Sequence, residues 1–299
     1  MIEPAAPETE RIMAPRAPLI GLVVTLACAL CAAPAQASHG RAGVAALQVA
    51  LRAAGVYSGG VDGVRGPGTI GGVKAIQRRA GLTVDGIAGR RTRRALGRRG
   101  RPRYGSRAMR AGHAGWDVAA LQFKLGAHGF PSGPVDGGLG PRSSGALRRF
   151  QARAGLGSDG IVGPATLRAL RTAPPRSPVK LFRPVRAPIG DRFGPRGVGF
   201  HAGLDFPAPS GTRVTAAGFG TVLSVGYSPG GWGNFVIVRH RFGLRTLYAH
   251  LSSISVGRGR FVPAGGRIGR VGATGSATGP HLHWEILLRG ANVDPLSAL

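Results

Sequence analysis

Apolar residues in the first half of the chain recur at the spacing of helices. Val44, Leu47 and Leu51 stand at positions i, i+3 and i+7, which places them on one face of an amphipathic helix. A second stripe has similar spacing and is matched 74 residues later by a third: Val73, Ile76 and Ala80, then Leu147, Phe150 and Ala154. The pattern predicts short amphipathic helices in two similar sets.

The similarity of the two sets extends well beyond the apolar positions. Residues 44–96 and 118–170 align without a gap, and more than half of the aligned positions are identical, which indicates duplication of one unit. Pro164 stands where a third helix of the second unit would begin. Four aspartates precede glycine and are predicted to form turns rather than to bind ligands: Asp62, Asp85, Asp136 and Asp159. Neither unit holds an acid/base pair or a metal-ligand cluster, so each is predicted to be a small three-helix binding module.

The second unit carries a recognisable sequence, DVAALQFKLGAHGFPSGPVDGGLGPRSSGALRRFQARAGLGSDGIVGPATLRAL. It resembles the bacterial peptidoglycan-binding domain of the three-helix type. The first unit is a weaker copy, because Arg93 stands where the second has Leu167. The resemblance implies that both units bind peptidoglycan, the second more strongly. If they only bind, their deletion leaves cleavage of a small soluble wall peptide nearly unchanged.

From about residue 181 the pattern changes to short apolar runs separated by glycine-rich turns. Examples are RVTAAG, GTVLSVG, NFVIVRH, RTLYAH and RIGRVG. Such runs predict an antiparallel all-β domain. Near its end, the stretch GPHLHWEI alternates polar and apolar residues. Read as a strand, it places His281, His283 and Glu285 on one face and three apolar side chains on the other.

Candidate chemistry concentrates in this β-rich part, which holds five of the eight histidines and few carboxylates. His201 and Asp205 stand in HAGLD, a spacing that brings both side chains to one side of an extended segment. With His283 they make a set of two imidazoles and one carboxylate, which suits tetrahedral Zn²⁺ with one position left for water. Hydrolysis also needs a base and an oxyanion-stabilising donor. His250 and His281 are left over as candidates for those roles.

Three other residues of this region each admit two interpretations. His240 ends a predicted strand and is interpreted as structural or solvated, since it has no partner at ligand spacing. Glu285 could orient a metal ligand from behind, or could lie at the surface. Trp232 could form a wall of a substrate groove, or could cover a sheet edge.

Residues 181–299 resemble family M23 of zinc metallopeptidases, the lysostaphin and LytM type. The segments that carry the resemblance are FHAGLDFPAPSGTRV, TLYAHLS and GATGSATGPHLHWEI. It implies zinc ligands at His201, Asp205 and His283, and catalytic assistance from His250 and His281. It also implies a metalloendopeptidase that hydrolyses peptide bonds in peptidoglycan stem peptides or cross-bridges.

The charge of the chain is strongly positive, with 40 Lys and Arg against 12 Asp and Glu and a formal net charge of +28. Such an excess attracts polyanions, which include nucleic acids, anionic lipids and anionic wall polymers. The arginines are spread over all predicted domains and linkers. This spread argues against a specific nucleic-acid partner and leaves anionic wall polymers as a further partner.

The N-terminal segment is predicted to be a signal peptide. Arg11 and Arg16 precede an apolar run that ends in the small-x-small tripeptide of residues 35–37. Met13 is an alternative start. Both cysteines, Cys28 and Cys31, lie within the segment, so the exported protein is expected to have no thiol.

These inferences give one predicted organisation. It comprises a signal peptide at 1–37, a peptidoglycan-binding domain at 38–97, a basic linker at 98–113, a second binding domain at 114–171, a linker at 172–180 and an M23 zinc endopeptidase domain at 181–299. Both linkers are expected to be exposed spacers. The predicted protein is a secreted, wall-associated monomer without a membrane span after signal cleavage. The alternatives are a non-catalytic wall-bound adaptor or activator of other hydrolases, a D,D-carboxypeptidase or other wall zinc enzyme, and a polyanion binder.

Overall fold

The computed structural model of the chain describes residues 41–299. The predicted signal peptide, its two cysteines and the first residues of the predicted domain at 38–97 lie outside the described residues. None of the helices in residues 41–299 combines the length and the hydropathy needed to cross a membrane.

Each repeat folds into three helices, as predicted. The first contains α1 (Ala42–Ala53), α2 (Pro67–Arg79) and α3 (Arg90–Ala95), followed by a 3-10 turn at Gly97–Gly100. The second contains α4 (Trp116–Ala127), α5 (Pro141–Arg153) and α6 (Pro164–Ala169), with Pro164 in the first turn of α6. The predicted apolar stripes are buried, apart from the half-buried Val44 and the last positions of the second and third stripes. Ala80 and Ala154 lie just past the ends of α2 and α5 and are exposed, because each helix stops at the preceding arginine.

Four equivalent glutamines hold the turns of the repeats. Gln48, Gln77, Gln122 and Gln151 are buried, and each Nε2 donates to the carboxylate of a turn aspartate at 2.6–2.8 Å. Each Oε1 accepts the N–H of the following glycine at 2.8–2.9 Å. The side-chain amides of these glutamines therefore have hydrogen-bond partners although they are buried. The aspartates therefore act as turn formers, as the sequence predicted.

The two repeats pack against each other through α1 and α4. Leu47 and Leu51 share one apolar cluster with Trp116 and Phe123. Arg93 lies 5.9 Å from the centre of the Trp116 ring, so its side chain contributes a cation–π contact to this interface. Arg93 therefore has a structural role in the first repeat that its mismatch with the second repeat did not indicate.

The basic segment 98–113 is more than a spacer. Most of its arginines are exposed, but Met109 is fully buried and pairs with Val162 of the second repeat. Arg107 binds Asp117 of α4 at 2.7 Å. The expectation of an exposed linker is therefore wrong at Met109, because this apolar side chain completes the core of the second repeat. Segment 172–180 is half-buried or exposed throughout.

The C-terminal half is an antiparallel β-domain, as predicted. Its strands are β1 (Gly194–Arg196), β2 (Gly199–His201), β3 (Leu204–Pro207), β4 (Arg213–Thr215), β5 (Gly220–Ser228), β6 (Gly233–Arg239), β7 (Leu244–Ile254), β8 (Phe261–Val262), β9 (Arg267–Val271), β10 (His281–Leu288) and β11 (Ala291–Val293). Short 3-10 turns occur at Arg241–Gly243 and Pro295–Ser297. β1 and β2 form a separate hairpin.

One sheet carries the other nine strands. Its main order is β11-β10-β7-β6-β5-β8, with β3 paired to β10 and β9 paired to both β4 and β7. The apolar faces of these strands enclose a single core that includes Phe206, Tyr248 and Trp284, all fully buried. The polar face of β10 is left opposite this core, where it meets β3 and the end of β2.

Candidate metal centre

Strand pairing places the predicted ligands side by side. β3 and β10 run antiparallel with Asp205 opposite His283, and directly opposed residues on one face have neighbouring side chains. Trp284 points the other way into the core. His201, at the end of β2, completes the group. The alternation of polar and apolar residues therefore places His283 and Trp284 on opposite faces of β10, as predicted.

The three side chains converge on a common point. His283 Nδ1 lies 2.7 Å from Asp205 Oδ1, and His201 Nε2 lies 3.1 Å from both atoms. One nitrogen or oxygen from each residue falls within 4.8 Å of the others. All three residues are at most 8% exposed. Two imidazoles and a carboxylate that converge in this way fit a Zn²⁺ ion with one open coordination position.

Residues behind the ligands fix which nitrogen of each ring faces the site. His201 Nδ1 donates to Arg192 O at 3.0 Å, which leaves Nε2 to face Asp205. His283 Nε2 donates to Glu285 Oε1 at 3.0 Å, which leaves Nδ1 as the inward atom. Glu285 is 5% exposed, so it is not a surface residue. Each imidazole thus turns one nitrogen to the centre, and that nitrogen can coordinate a metal once it carries no proton.

The charges of the site are strongly coupled. Burial alone would raise the pKa of Asp205, but hydrogen bonds from His201 and His283 hold it well below its usual range. Burial alone would lower the pKa of His283, but hydrogen bonds to Asp205 and Glu285 outweigh this effect and raise the pKa to about 9. Asp205 therefore stays ionised in the site, and metal binding would displace the proton that these contacts favour on His283.

His250 is held in an unusual conformation beside the ligands. Its φ of +61° lies in the left-handed region, which is rare for a residue with a side chain. The pairing of β7 is irregular on both sides of His250, as at a β-bulge that redirects a side chain. Nδ1 donates to Thr274 O at 2.8 Å, so Nε2 is free to accept a proton. Burial lowers the pKa of His250, which keeps it neutral near pH 7.

His281 stands next to His250, with ring centres 4.7 Å apart. Its Nδ1 donates to Gly279 O at 2.8 Å, and its Nε2 lies 3.8 Å from Asp205 Oδ1. The structure therefore brings all five predicted site residues together, three as a converging donor set and two beside it whose Nε2 atoms make no hydrogen bond within residues 41–299.

A groove of about 720 Å³ runs over this centre. Trp232 and Pro207 are among its lining residues, and the Trp232 ring packs edge-on against Phe235. Trp232 is 38% exposed, in agreement with a groove wall. The sequence analysis missed Arg196, which donates from Nη1 to Asp191 Oδ2 at 3.0 Å and to Asp205 Oδ2 at 3.2 Å. Nothing in the local sequence marks Arg196, because only the β1–β2 hairpin brings it to the centre.

His240 takes no part in this site. Its Nδ1 donates to Phe219 O and its Nε2 contacts the Thr246 hydroxyl, both at 2.7 Å. The Thr246 and Tyr248 hydroxyls lie 2.9 Å apart, and Tyr248 accepts the N–H of Ala217. His240 is therefore a structural residue, one of the two interpretations that the sequence allowed.

Comparison with known proteins gives the family of each part. The sequence model of Peptidase family M23 matches residues 199–295, and that of the putative peptidoglycan binding domain matches residues 40–96 and 115–170. The DD-carboxypeptidase/endopeptidase Mpg of Neisseria meningitidis is 43% identical over 119 residues, which cover 39% of this chain and 27% of that protein.

Two further similarities involve proteins of other bacteria. The peptidoglycan DD-endopeptidase ShyB of Vibrio cholerae is 34% identical over 198 residues, which cover 64% of this chain and 45% of that protein. The chain thus spans less than half the length of either curated relative. The crystal structure of a putative peptidase M23 from Pseudomonas aeruginosa is 41% identical, with a TM-score of 0.37, over 42% of this chain and 53% of that one. The β-domain belongs to peptidase family M23, and the two helical repeats are copies of the putative peptidoglycan binding domain.

Proposed function

We propose that this protein is a zinc metalloendopeptidase that hydrolyses peptide bonds of peptidoglycan outside the cytoplasm. The observation that carries the proposal is the convergence of His201, Asp205 and His283 beside two histidines with free Nε2 atoms. The two curated relatives described above are named a DD-carboxypeptidase/endopeptidase and a peptidoglycan DD-endopeptidase, which supports cross-linked stem peptides as the substrate class.

The residues divide the chemistry between them. Bound at the three donors, Zn²⁺ would supply Lewis-acid chemistry that makes water a nucleophile near neutral pH. His250 is neutral and offers Nε2 to the groove, so it acts as the base that takes a proton from the attacking water. His281, when protonated, donates from Nε2 to the oxygen that becomes negative in the transition state. Trp232 and Pro207 confine an extended peptide above these groups.

The test of this function is mass analysis of defined, cross-linked muropeptides incubated with the full chain. Zinc-loaded protein is expected to cleave them, chelator is expected to stop cleavage, and added zinc is expected to restore it. A non-catalytic adaptor built on the same fold would bind peptidoglycan without cleavage under any of these conditions. The complete set of five residues favours the enzyme over the adaptor.

Wall attachment is assigned to the repeats, chiefly to a groove of about 910 Å³ in the second. Ser132 and Ser144 line this groove, and each is 4% exposed with a hydroxyl that has no hydrogen-bond partner among residues 41–299. Arg142 and Arg148 lie at its rim and are exposed. The exposed guanidinium groups suit a glycan that bears carboxylates or stem peptides.

The first repeat differs at the equivalent positions. Ile70 and Gly68 replace Ser144 and Arg142. The ring of Tyr57 lies over Gly68, and its hydroxyl donates to Gly60 O at 2.7 Å. The second repeat is therefore proposed to bind more strongly than the first.

A further inference from the structure

The two repeats hold the β1–β2 hairpin through equivalent backbone groups. Val61 donates its N–H to Gly197 O at 2.7 Å, and Val135, its counterpart 74 residues later, donates to Val198 O at 2.6 Å. Both acceptors lie in the turn between the two strands. The hairpin is therefore bound by the same point of each repeat.

This hairpin carries part of the metal centre. Its second strand ends at His201, and its first ends at Arg196, which binds Asp205. Phe200, next to His201, packs so closely on α4 that a Cβ at Gly126 would lie 2.6 Å from its ring. Movement of the second repeat would therefore displace the strand that presents His201.

A second path leads from the second repeat to His283. Asn292, in β11, donates its N–H to Gly129 O at 2.9 Å. Its side-chain Nδ2 donates to Glu285 Oε2 at 2.6 Å, and Glu285 Oε1 accepts from His283 Nε2 at 3.0 Å. Ala291, the neighbour of Asn292, is buried in the apolar core of the second repeat. β11 is only three residues long, so this contact helps to fix where it lies.

We propose that the repeats are part of the scaffold of the metal centre and that Asn292 is a positioning residue for His283. The inference rests on the proposed function, and it contradicts the sequence-based expectation that the repeats only bind. Docking at Gly129 fixes Asn292, Asn292 fixes the carboxylate of Glu285, and that carboxylate fixes the ring of His283. Groups that orient metal ligands in this way commonly change metal affinity or activity by about 10–100-fold when removed.

Gly129 and its counterpart Gly55 provide a matched pair for the test. Both have left-handed backbones, with φ of +86° and +69°, so alanine costs each a similar strain. A Cβ at Gly129 would collide with the backbone of Asn292, whereas a Cβ at Gly55 meets no atom of residues 41–299 within 4 Å. In the full chain, Gly129→Ala is expected to weaken zinc binding about tenfold or more and to lower kcat on a soluble muropeptide, with little change in KM. Gly55→Ala is expected to retain the zinc affinity and the kcat of the unmodified protein.

Asn292→Ala is the second variant, because it keeps the backbone bond to Gly129 and removes only the side-chain amide, which donates to Glu285 Oε2 at 2.6 Å and to Ala202 O at 3.4 Å. It is expected to weaken zinc by a similar factor, measured by competition with a chromophoric chelator, and Asn292→Gln is expected to restore part of the affinity. Wild-type zinc affinity in both Gly129→Ala and Asn292→Ala would overturn the inference, as would equal losses in Gly55→Ala. Failure of the proposed function would instead show as absence of zinc binding or cleavage in the unmodified protein.

Discussion

The two histidines of the HLH segment are held by different partners, although they share one strand face. His283 Nε2 donates to Glu285, and its Nδ1 faces Asp205. His281 donates to the carbonyl of Gly279 and keeps Nε2 for the groove. One ring is therefore built as a ligand and the other as a hydrogen-bond donor that faces the substrate groove.

This difference predicts that substitution of the two histidines affects zinc content differently, although both substitutions lower activity. His283→Ala should lose zinc and activity together. His281→Ala should retain stoichiometric zinc and lose about 10²–10³-fold in kcat, the usual cost of removing one oxyanion-stabilising donor. Zinc content and muropeptide kinetics measure both effects. His240→Gln is the control and should retain both, because His240 bonds Phe219 O and the Thr246 hydroxyl and takes no part in the metal centre. Equal loss of zinc in the two variants would contradict the division of roles.

His240 also gives the β-domain a pH-dependent stability. Burial lowers the pKa of His240, so the folded state takes up its proton at lower pH than the unfolded chain, whose histidines titrate near 6.5. The free energy of unfolding should therefore fall as pH drops below about 6.5 through the folded pKa. Denaturant unfolding between pH 8 and 5 should show a shallower decline for His240→Gln than for the unmodified chain. Identical slopes would show that His240 is protonated equally in both states.

Single residues also show where sequence reasoning succeeds. The five proposed site residues stand in short segments, HAGLD, YAHL and HLH, whose local spacing indicates which side chains share a face. Arg196 and Asn292 could not be found in this way. Their roles depend on a hairpin and an edge strand that meet the centre only after the sheet and the repeats have packed.

At the scale of elements, the loop after β9 supports His250. Thr274 O accepts from His250 Nδ1, and the Thr274 hydroxyl accepts the N–H of Asn234 at 3.0 Å. Gly233 and Gly275 both have positive φ, and a Cβ on either would collide with the other chain segment. These two glycines are therefore required for close packing between this loop and β6.

Gly275→Ala is accordingly expected to displace Thr274 and with it the ring of His250. Activity should fall at least about tenfold, and thermal stability should fall by more than the ~1–2 kcal/mol of left-handed strain alone. Gly265→Ala is the matched control, since Gly265 has a φ of +75° and open space around its Cβ. Thermal melts and muropeptide kinetics of the two variants give the comparison. If both behave alike, the loop does not position His250.

The elements that the sequence predicts are those whose buried faces follow from local spacing along the chain. Helix periodicity located the repeats, and period-two alternation located β10, because both patterns report a buried face directly. The burial of Met109 was missed because its segment is basic and rich in glycine, and its apolar partner Val162 lies 53 residues away. The irregularity of β7 at His250 has no signal in the local sequence.

At the scale of the whole molecule, charge and shape make separate contributions to wall binding. A net charge of +28 attracts any anionic polymer, and this attraction weakens as salt screens exposed charges. The groove of the second repeat adds a local site in which Arg142 and Arg148 stand beside buried hydroxyls. If the groove binds the wall, removal of these two arginines should weaken retention on the wall more than removal of two exposed arginines outside the groove.

The double variant Arg142→Gln/Arg148→Gln should therefore reduce retention on isolated sacculi several-fold. The control Arg153→Gln/Arg168→Gln removes the same charge from exposed positions of the same repeat that do not line the groove, and it should bind almost normally. Sacculus pull-down at low and high salt measures both. Retention of the unmodified chain should weaken with salt, and the gap between the two variants should narrow as screening removes the electrostatic contribution of the groove. Equal losses in both variants would mean that net charge, rather than the groove, holds the protein on the wall.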